Sequence, residues 1–272
     1  MIRPTLYPSG TGWGSLIFET ISDKSAILSN MIEALLWGIF AASSLLIGAV
    51  VSMRWRLSKR VVGLIMAFGV GVLISAVAFE LAEEAFKTAG PSLGLALGLA
   101  GGAATFFVGN YFINKRGGHR RKRVGGNDNS SGLAIVLGTV LDGIPESIVL
   151  GLSIVHGGAI SIAMLVAIFI SNLPEAIGSS SGLLRSGWKK WPLLAMWCGV
   201  VGISGLASLA GYGIFKEASP DVVAFTLAFS AGALLTILAD TMMPEAFEDS
   251  GSLAGIVTTL GFGVAFWISM FE

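Results

Sequence analysis

The sequence predicts an all-α protein that crosses a membrane several times, and its composition, apolar runs and glycines carry this prediction. Of 272 residues, 54% are hydrophobic and only 12% are charged, whereas a soluble domain carries about 25% charged residues. The 37 glycines are typical of helices that pack closely in lipid. A helix needs about 20 apolar residues to cross a bilayer. Eight such runs occur, at about 31–53, 61–86, 91–113, 132–155, 159–184, 192–215, 221–247 and 252–271.

These eight runs predict the organisation of the chain. We expect an extracytoplasmic N-terminal tail over 1–30, helical near 13–27. The remaining segments are helices one to three over 31–113, a cytoplasmic basic loop over 114–131, a central pair over 132–184, and helices six to eight over 185–272.

Basic residues are concentrated in alternate loops. The loops after the first, third and fifth runs hold 13 of the 17 lysines and arginines. The positive-inside rule places these loops in the cytoplasm, so both termini face outward. A net charge of zero argues against nucleic acid as a partner. The single cysteine, Cys198, cannot form a disulfide within the chain.

Two of the apolar runs share a motif. Residues 67–90 and 228–251 align at a constant offset of 161 positions, and the identities include Glu-Ala-Phe at 84–86 and 245–247. By the charge rule these two runs cross the membrane in opposite directions, which is the pattern of an inverted-topology repeat in secondary transporters. We therefore predict three helices, a central pair and three inverted helices, a 3+2+3 arrangement.

The repeat places acids toward both faces of the membrane. Glu80 and Glu84 lie toward the outer end of the second run, and Asp240 and Glu245 toward the inner end of the seventh. Ionisable residues at membrane depth are costly and commonly mark ion or proton pathways. We interpret these four as pathway residues, with acids in the wet headgroup layer as the alternative.

The strongest chemical signal is a Pro-Glu pair in each of the two central runs. Pro145-Glu146 lies in the fourth run and Pro174-Glu175 lies 29 residues later in the fifth. A carboxylate at mid-bilayer costs about 2.5–3.5 kcal/mol on insertion scales, and each proline removes a backbone donor. Two such costs in adjacent helices indicate a polar site between two helices interrupted by proline.

The spacing of polar residues around these pairs predicts the ligands of that site. Asp142 and Glu146 are four positions apart, as are Ser171 and Glu175, so each pair shares a helix face. Carboxylate, hydroxyl and amide oxygens together attract a cation. The predicted metal ligands are Asp142, Glu146, Ser171, Asn172 and Glu175. Two alternatives stay open: a proton relay through the same acids, and kinked helices whose acids are protonated and hydrogen-bonded.

With these motifs the chain resembles the ZIP (Zrt/Irt-like) family of divalent-metal transporters. Aligned on Pro-Glu, Asp142 takes the place of the family's histidine and Glu146 that of its acid in the fourth helix. In the fifth helix, Ser171, Asn172 and Glu175 take ligand positions.

Two further helices add to the resemblance. Residues 80–85 are similar to the family's His-Leu-Leu-Pro-Glu-Ala, and the seventh run keeps Met-Pro-Glu at 243–245. The resemblance implies eight membrane helices, of which one, four, five and six move against two, three, seven and eight. It implies a multi-pass transporter of the plasma membrane, in a bacterium the inner membrane, and not an enzyme.

The same resemblance implies the partners. The substrate would be a divalent cation moved toward the cytoplasm, zinc by family default, with Mn²⁺, Fe²⁺ or Cd²⁺ as other candidates. The lipid bilayer is the other partner. No covalently bound cofactor is implied, and a homodimer is left open.

The chain departs from the family pattern in its lack of histidine at the ligand positions. The sixth helix also lacks the glutamate that completes a second metal in the family. Because imidazole suits zinc and oxygen ligands suit harder cations, we expect a single-metal site shifted toward a hard cation. The alternatives are a proton-coupled carrier of another substrate, such as an organic cation, and a ZIP homologue with altered transport. An intramembrane enzyme or a signalling scaffold is a further alternative. An intramembrane protease is disfavoured, because it would need a Ser-His pair, paired aspartates in nucleophile geometry or a His-Glu-x-x-His motif, and the sequence indicates none of these.

Overall fold

The fold is that of a helical bundle. The computed structural model describes residues 13–55, 57–115, 130–157 and 160–271, and these contain helices and no β-strand. The first part of the predicted tail, 1–12, and most of the predicted basic loop, 116–129, lie outside the described residues.

The described helices follow one another with short connections. Two π-helical segments continue α2 and α8 without a break: the first π-segment is Val77–Glu83 and the second is Leu238–Met242. The α-helices are α1 Trp13–Arg54, α2 Lys59–Ala76, α3 Glu84–Ala89, α4 Leu93–Lys115, α5 Ser130–Gly157, α6 Ile162–Arg185, α7 Lys190–Phe215, α8 Pro220–Ile237, α9 Met243–Ser250 and α10 Leu253–Ser269.

Most of the predicted membrane crossings are confirmed by length and composition. The described residues include seven helices long and apolar enough to cross a bilayer: Lys24–Arg54, Lys59–Ala89, Leu93–Phe112, Gly138–Val155, Ile162–Arg185, Lys190–Phe215 and Pro220–Ser250. The predicted crossing at 252–271 corresponds to α10, which has 17 residues, fewer than the about 20 of a typical crossing. That eighth crossing, and with it the 3+2+3 arrangement, stays a prediction.

The first crossing is preceded by helix rather than by an extended tail. α1 begins at Trp13 and runs without a break to Arg54. The helix expected near 13–27 is therefore continuous with the first crossing.

The helices pack in two groups. In the first packing group, α2 pairs with α10 and α4 pairs with α8; in the second, α1 pairs with α6 and α7, and α5 pairs with α7. Contacts of α2 with α6 join the two groups. The second group has its own apolar cluster around the fully buried Trp197 of α7, whose indole nitrogen donates a 2.8 Å hydrogen bond to the Ser180 hydroxyl of α6.

Glycines allow the helix pairs of the first packing group to cross at backbone contact. A Cβ added to Gly71 of α2 would lie 1.9 Å from the Thr258 carbonyl oxygen of α10, and one added to Gly232 of α8 would lie 2.0 Å from the Leu99 carbonyl oxygen of α4. Both positions can hold only glycine, because the obstacle in each case is the neighbouring backbone. Gly71 and Gly232 are separated by the same 161 positions as the sequence repeat.

The partner helices contribute matching glycines to these crossings. A Cβ on Gly261 of α10 would lie 2.1 Å from the Phe68 carbonyl oxygen, and one on Gly102 of α4 would lie 1.8 Å from the Phe229 carbonyl oxygen. Phe68 and Phe229 are again 161 positions apart. The α2–α10 and α8–α4 crossings are therefore built in the same way.

The π-segments fall at equivalent positions in the two halves of the chain. Val77 opens the first and Leu238 opens the second, and these residues are also 161 positions apart. π-helical turns are rare and are often found at functional sites. A local distortion, and not only residue identity, is thus shared between the two halves.

Gly71→Ala is expected to lower the free energy of unfolding by about 1–3 kcal/mol, the usual cost of forcing atoms into a filled interior. Gly232→Ala should cost a similar amount, because its surroundings are equivalent. Gly255→Ala is the matched control: no atom lies within 4 Å of its added Cβ, and alanine favours helix over glycine. Thermal unfolding of the purified variants in detergent measures the difference, and equal midpoints for Gly71→Ala and Gly255→Ala would contradict the backbone-contact interpretation.

Candidate functional site

The predicted site lies between α5 and α6, the two helices that carry an internal proline. Pro145 and Pro174 sit inside these helices, and both helices continue past them. The expectation that the prolines break the helices was therefore wrong. A proline removes only the hydrogen bond to the carbonyl four residues earlier, and the surrounding bundle holds the rest of each helix in place.

The carbonyl released by Pro174 lies beside a glycine of α2. It belongs to Ile170, and a Cβ on Gly69 would lie 3.6 Å from that oxygen and 3.2 Å from the Ser171 Cα atom. Because Gly69 has no side chain, α2 approaches the released carbonyl and the predicted ligand Ser171 closely. The α2 helix therefore forms one wall of the candidate site.

Glu146 is the most enclosed acid among the described side chains. Its side chain is 5% exposed, and the charged groups near enough to act on it are Asp142 of its own helix and Glu175 of α6. Both have the same sign as Glu146, and no basic group of the described chain is among them. Three predicted carboxylates thus share one electrostatic environment. A charge held away from water costs several kcal/mol unless it is compensated, so this environment requires a proton or a cation.

Thr139 links the two proline-containing helices and was missed by sequence reasoning. Its Oγ1 donates a 2.8 Å hydrogen bond to Oε1 of Glu175, and the residue is 3% exposed. The sequence spacing indicates that Thr139 belongs to the site. Thr139, Asp142 and Glu146 follow one another at intervals of three and four and so share one face of α5. Thr139 orients the Glu175 carboxylate toward α5.

The predicted neutral ligands on α6 are also buried. Ser171 and Asn172 are 3% and 7% exposed. The Ser171 hydroxyl donates to the Ile168 carbonyl oxygen at 3.1 Å. Because that bond uses the hydroxyl hydrogen, the Ser171 oxygen keeps its lone pairs as acceptors. α6 thus contributes uncharged oxygen atoms that can bind a cation, next to Glu175.

The carboxylates do not converge on a single point. Within the described part of the chain, no group of three or more His, Cys, Asp or Glu side chains is close enough to hold a metal ion together. A hard cation such as Mg²⁺ is commonly held by one or two carboxylates with water completing its shell. The arrangement is therefore compatible with a partly hydrated cation and not with a fully carboxylate cage.

A cavity of about 860 Å³ lies beside this site, and we call it the vestibule. Glu80 and Glu84, two of the predicted pathway residues, line it together with Val149 and Ser153 of α5. Val149 follows Glu146 by three residues and therefore lies one helical turn away on a similar face. The wall of the vestibule thus includes a residue about one helical turn from the most enclosed carboxylate.

The other two pathway residues lie apart from the vestibule. Asp240 is exposed in the second π-segment, and Glu245 is half-buried in α9. Glu80 is likewise in the first π-segment, and Glu84 begins α3. The acids predicted for the two ends of the pathway therefore accompany the two π-segments.

Comparison with known proteins leaves the interpretation to the chemistry of these residues. No protein-family model and no curated protein sequence matches the chain.

Thr139→Val is expected to destabilise the protein by about 1–2 kcal/mol, because the isosteric side chain removes a hydrogen bond to a carboxylate. Thr139→Ser retains the hydroxyl and serves as the control. Thermal unfolding in detergent distinguishes them. Equal unfolding temperatures for the valine and serine variants would show that the bond to Glu175 does not stabilise the contact between α5 and α6.

Proposed function

We propose that this protein is a transporter that moves a divalent metal cation across the plasma membrane toward the cytoplasm. The observation that carries the proposal is Glu146, a buried acid on a membrane-length helix that is faced by two further carboxylates and no described base. If all three carboxyl groups are ionised, their mutual repulsion adds to the desolvation cost. A mobile cation offsets both.

The proposed ligands are the five residues predicted from sequence. Asp142 and Glu146 of α5 and Glu175 of α6 supply charge, one or two of them binding the cation directly with water completing its shell, and Ser171 and Asn172 supply neutral oxygens. We assign Thr139 a positioning role, because its hydrogen bond to Glu175 fixes one carboxylate oxygen. The lack of any predicted histidine ligand favours a hard cation such as Mn²⁺ over zinc, the family default.

The proposed architecture is the inverted repeat of three, two and three helices. It is supported by the equivalent glycine crossings of α2 with α10 and of α8 with α4. The shared offset of the two π-segments supports it as well. The proposed orientation, with both termini outside, is supported by the positions of the basic residues in the sequence.

The proposed transport movement is a displacement of the second packing group against the first. α5 and α6 carry the candidate ligands and pack with α1 and α7, whereas α2, α4, α8 and α10 form the other group. Such rigid-body movement of one unit against another around a central site is how repeat-built transporters alternate access. The vestibule is then the extracytoplasmic approach to Glu146.

A second candidate function is a proton-coupled carrier of an organic cation. The vestibule favours it, because about 860 Å³ lies in the range of pockets that bind small organic molecules and far exceeds the space of an ion. Phe79, Phe266 and Met270 give it an apolar wall. Proteoliposomes distinguish the candidates: uptake of Mn²⁺ or Zn²⁺ supports the metal transporter, and proton movement that requires an organic amine supports the carrier.

Glu146→Gln and Glu175→Gln are each expected to weaken Mn²⁺ binding about 100-fold or more, since loss of a ligand costs at least as much as loss of its supporting partner. Isothermal titration of the purified protein measures this. Glu217→Gln is the control, because Glu217 is 86% exposed and pairs with its neighbour Lys216. Unchanged affinity in both site variants would exclude these residues as ligands.

Asp142→His is expected to raise the affinity for Zn²⁺ relative to Mn²⁺, because an imidazole replaces a carboxylate oxygen at the ligand position. Competition binding with the two metals gives the ratio directly. Asp142→Asn controls for loss of charge without imidazole. The same Zn²⁺/Mn²⁺ ratio in both variants would remove Asp142 from the set of direct ligands.

A further inference from the structure

Glu80 connects helices from the two packing groups. Its Oε1 accepts a 2.8 Å hydrogen bond from the hydroxyl of Ser269, the last residue of α10. Its Oε2 accepts a 2.9 Å hydrogen bond from the hydroxyl of Ser161, the residue immediately before α6. α10 packs with α2 in the first group, and α6 belongs to the second. One carboxylate therefore spans the boundary between the groups.

The Ser161 hydroxyl has two roles in this arrangement. It caps α6 by accepting a 3.1 Å hydrogen bond from the Met164 amide, which uses a lone pair of the oxygen. Its hydrogen then needs an acceptor, and an ionised carboxylate is the strongest acceptor available to a hydroxyl. The start of α6 is thus fixed to Glu80 through the same atom that caps the helix.

These bonds lie in the wall of the vestibule. Glu80, Ser161 and Ser269 all line it, and so do Val149 of α5 and Met164 of α6. Val149 and Met164 are only 3% and 1% exposed and belong to the apolar core, so packed side chains close the part of the wall that they form. Met164 is also the residue whose amide Ser161 caps, so a movement of the start of α6 moves Met164 with it.

We propose that Glu80 is a latch between the two packing groups. The hydrogen bond from Ser269 fixes one Glu80 oxygen within the first packing group. The hydrogen bond from Ser161 ties the other oxygen to the start of α6. In this state Val149 and Met164 separate the vestibule from Glu146. Breaking the Glu80–Ser161 bond frees the start of α6, and this part of the vestibule wall opens toward the candidate site. The latch rests on the proposed function only for the identity of the ion that then passes.

Thiol accessibility in the closed part of the vestibule wall tests the latch. The reporter is Val149→Cys in a Cys198→Ser background, so that position 149 carries the chain's single thiol. The full chain is placed in lipid nanodiscs and treated with a charged methanethiosulfonate reagent. The measured quantity is the rate of modification at position 149.

Ser161→Asp and Ser161→Asn form the matched pair. Both side chains can accept from the Met164 amide and cap α6, but asparagine keeps a donor for Glu80 and aspartate does not. We expect Ser161→Asp to react about tenfold faster than Ser161→Asn, the population shift that follows from losing a hydrogen bond to a charged group. Ser269→Ala, which leaves the cap unchanged, should also accelerate modification.

Equal modification rates for Ser161→Asp, Ser161→Asn and Ser269→Ala would overturn the latch. Size-exclusion chromatography of each variant confirms that it remains folded before labelling. Mn²⁺ uptake by proteoliposomes of the parental chain is measured separately. Absence of uptake refutes the proposed cation and leaves the labelling comparison valid, whereas uptake with equal labelling rates refutes the latch alone.

Discussion

The centre of this protein is constrained by one buried carboxyl group, which lies away from water and near two further carboxyl groups. Glu146 is almost completely buried, and Asp142 and Glu175 act on it from α5 and α6. The fixed surroundings offset only part of the cost: Thr139 donates to Glu175, and proline leaves a carbonyl without its usual partner on each helix. The remaining cost calls for a proton or a bound cation at this position.

Sequence patterns predicted the features that depend on local chemistry. Long apolar runs predicted seven of the crossings, and the Pro-Glu pairs located the buried Glu146 on α5 and the half-buried Glu175 on α6. The prolines were expected to interrupt their helices, but each removes one hydrogen bond and the neighbouring helices support the remainder. The predicted residues thus lie on α5 and α6, but the backbone around them is continuous helix where a break was expected.

Spacing can place a residue on a helix face, but the distant partner that it meets could not be predicted. Thr139 meets Glu175 across 36 positions of the chain, and Glu80 meets Ser161 and Ser269 across 81 and 189 positions. A threonine or serine in an apolar helix most often bonds to its own backbone, so nothing in its type indicates such a contact. The hydropathy pattern does not indicate the π-segments either. An extra residue in a turn changes the direction of the following side chains and not their composition.

The glycine crossings have a consequence for how this chain can vary. At Gly71, Gly102, Gly232 and Gly261 the obstacle to a larger residue is a peptide carbonyl on the opposing helix. Every amino acid carries that carbonyl, so no second substitution elsewhere can make room. These four glycines therefore hold α2 against α10 and α4 against α8 in one geometry. Gly151 of α5, five positions after Glu146, is limited in the same way by the Ser208 carbonyl oxygen of α7, so the restriction reaches the helix that carries the buried acid as well.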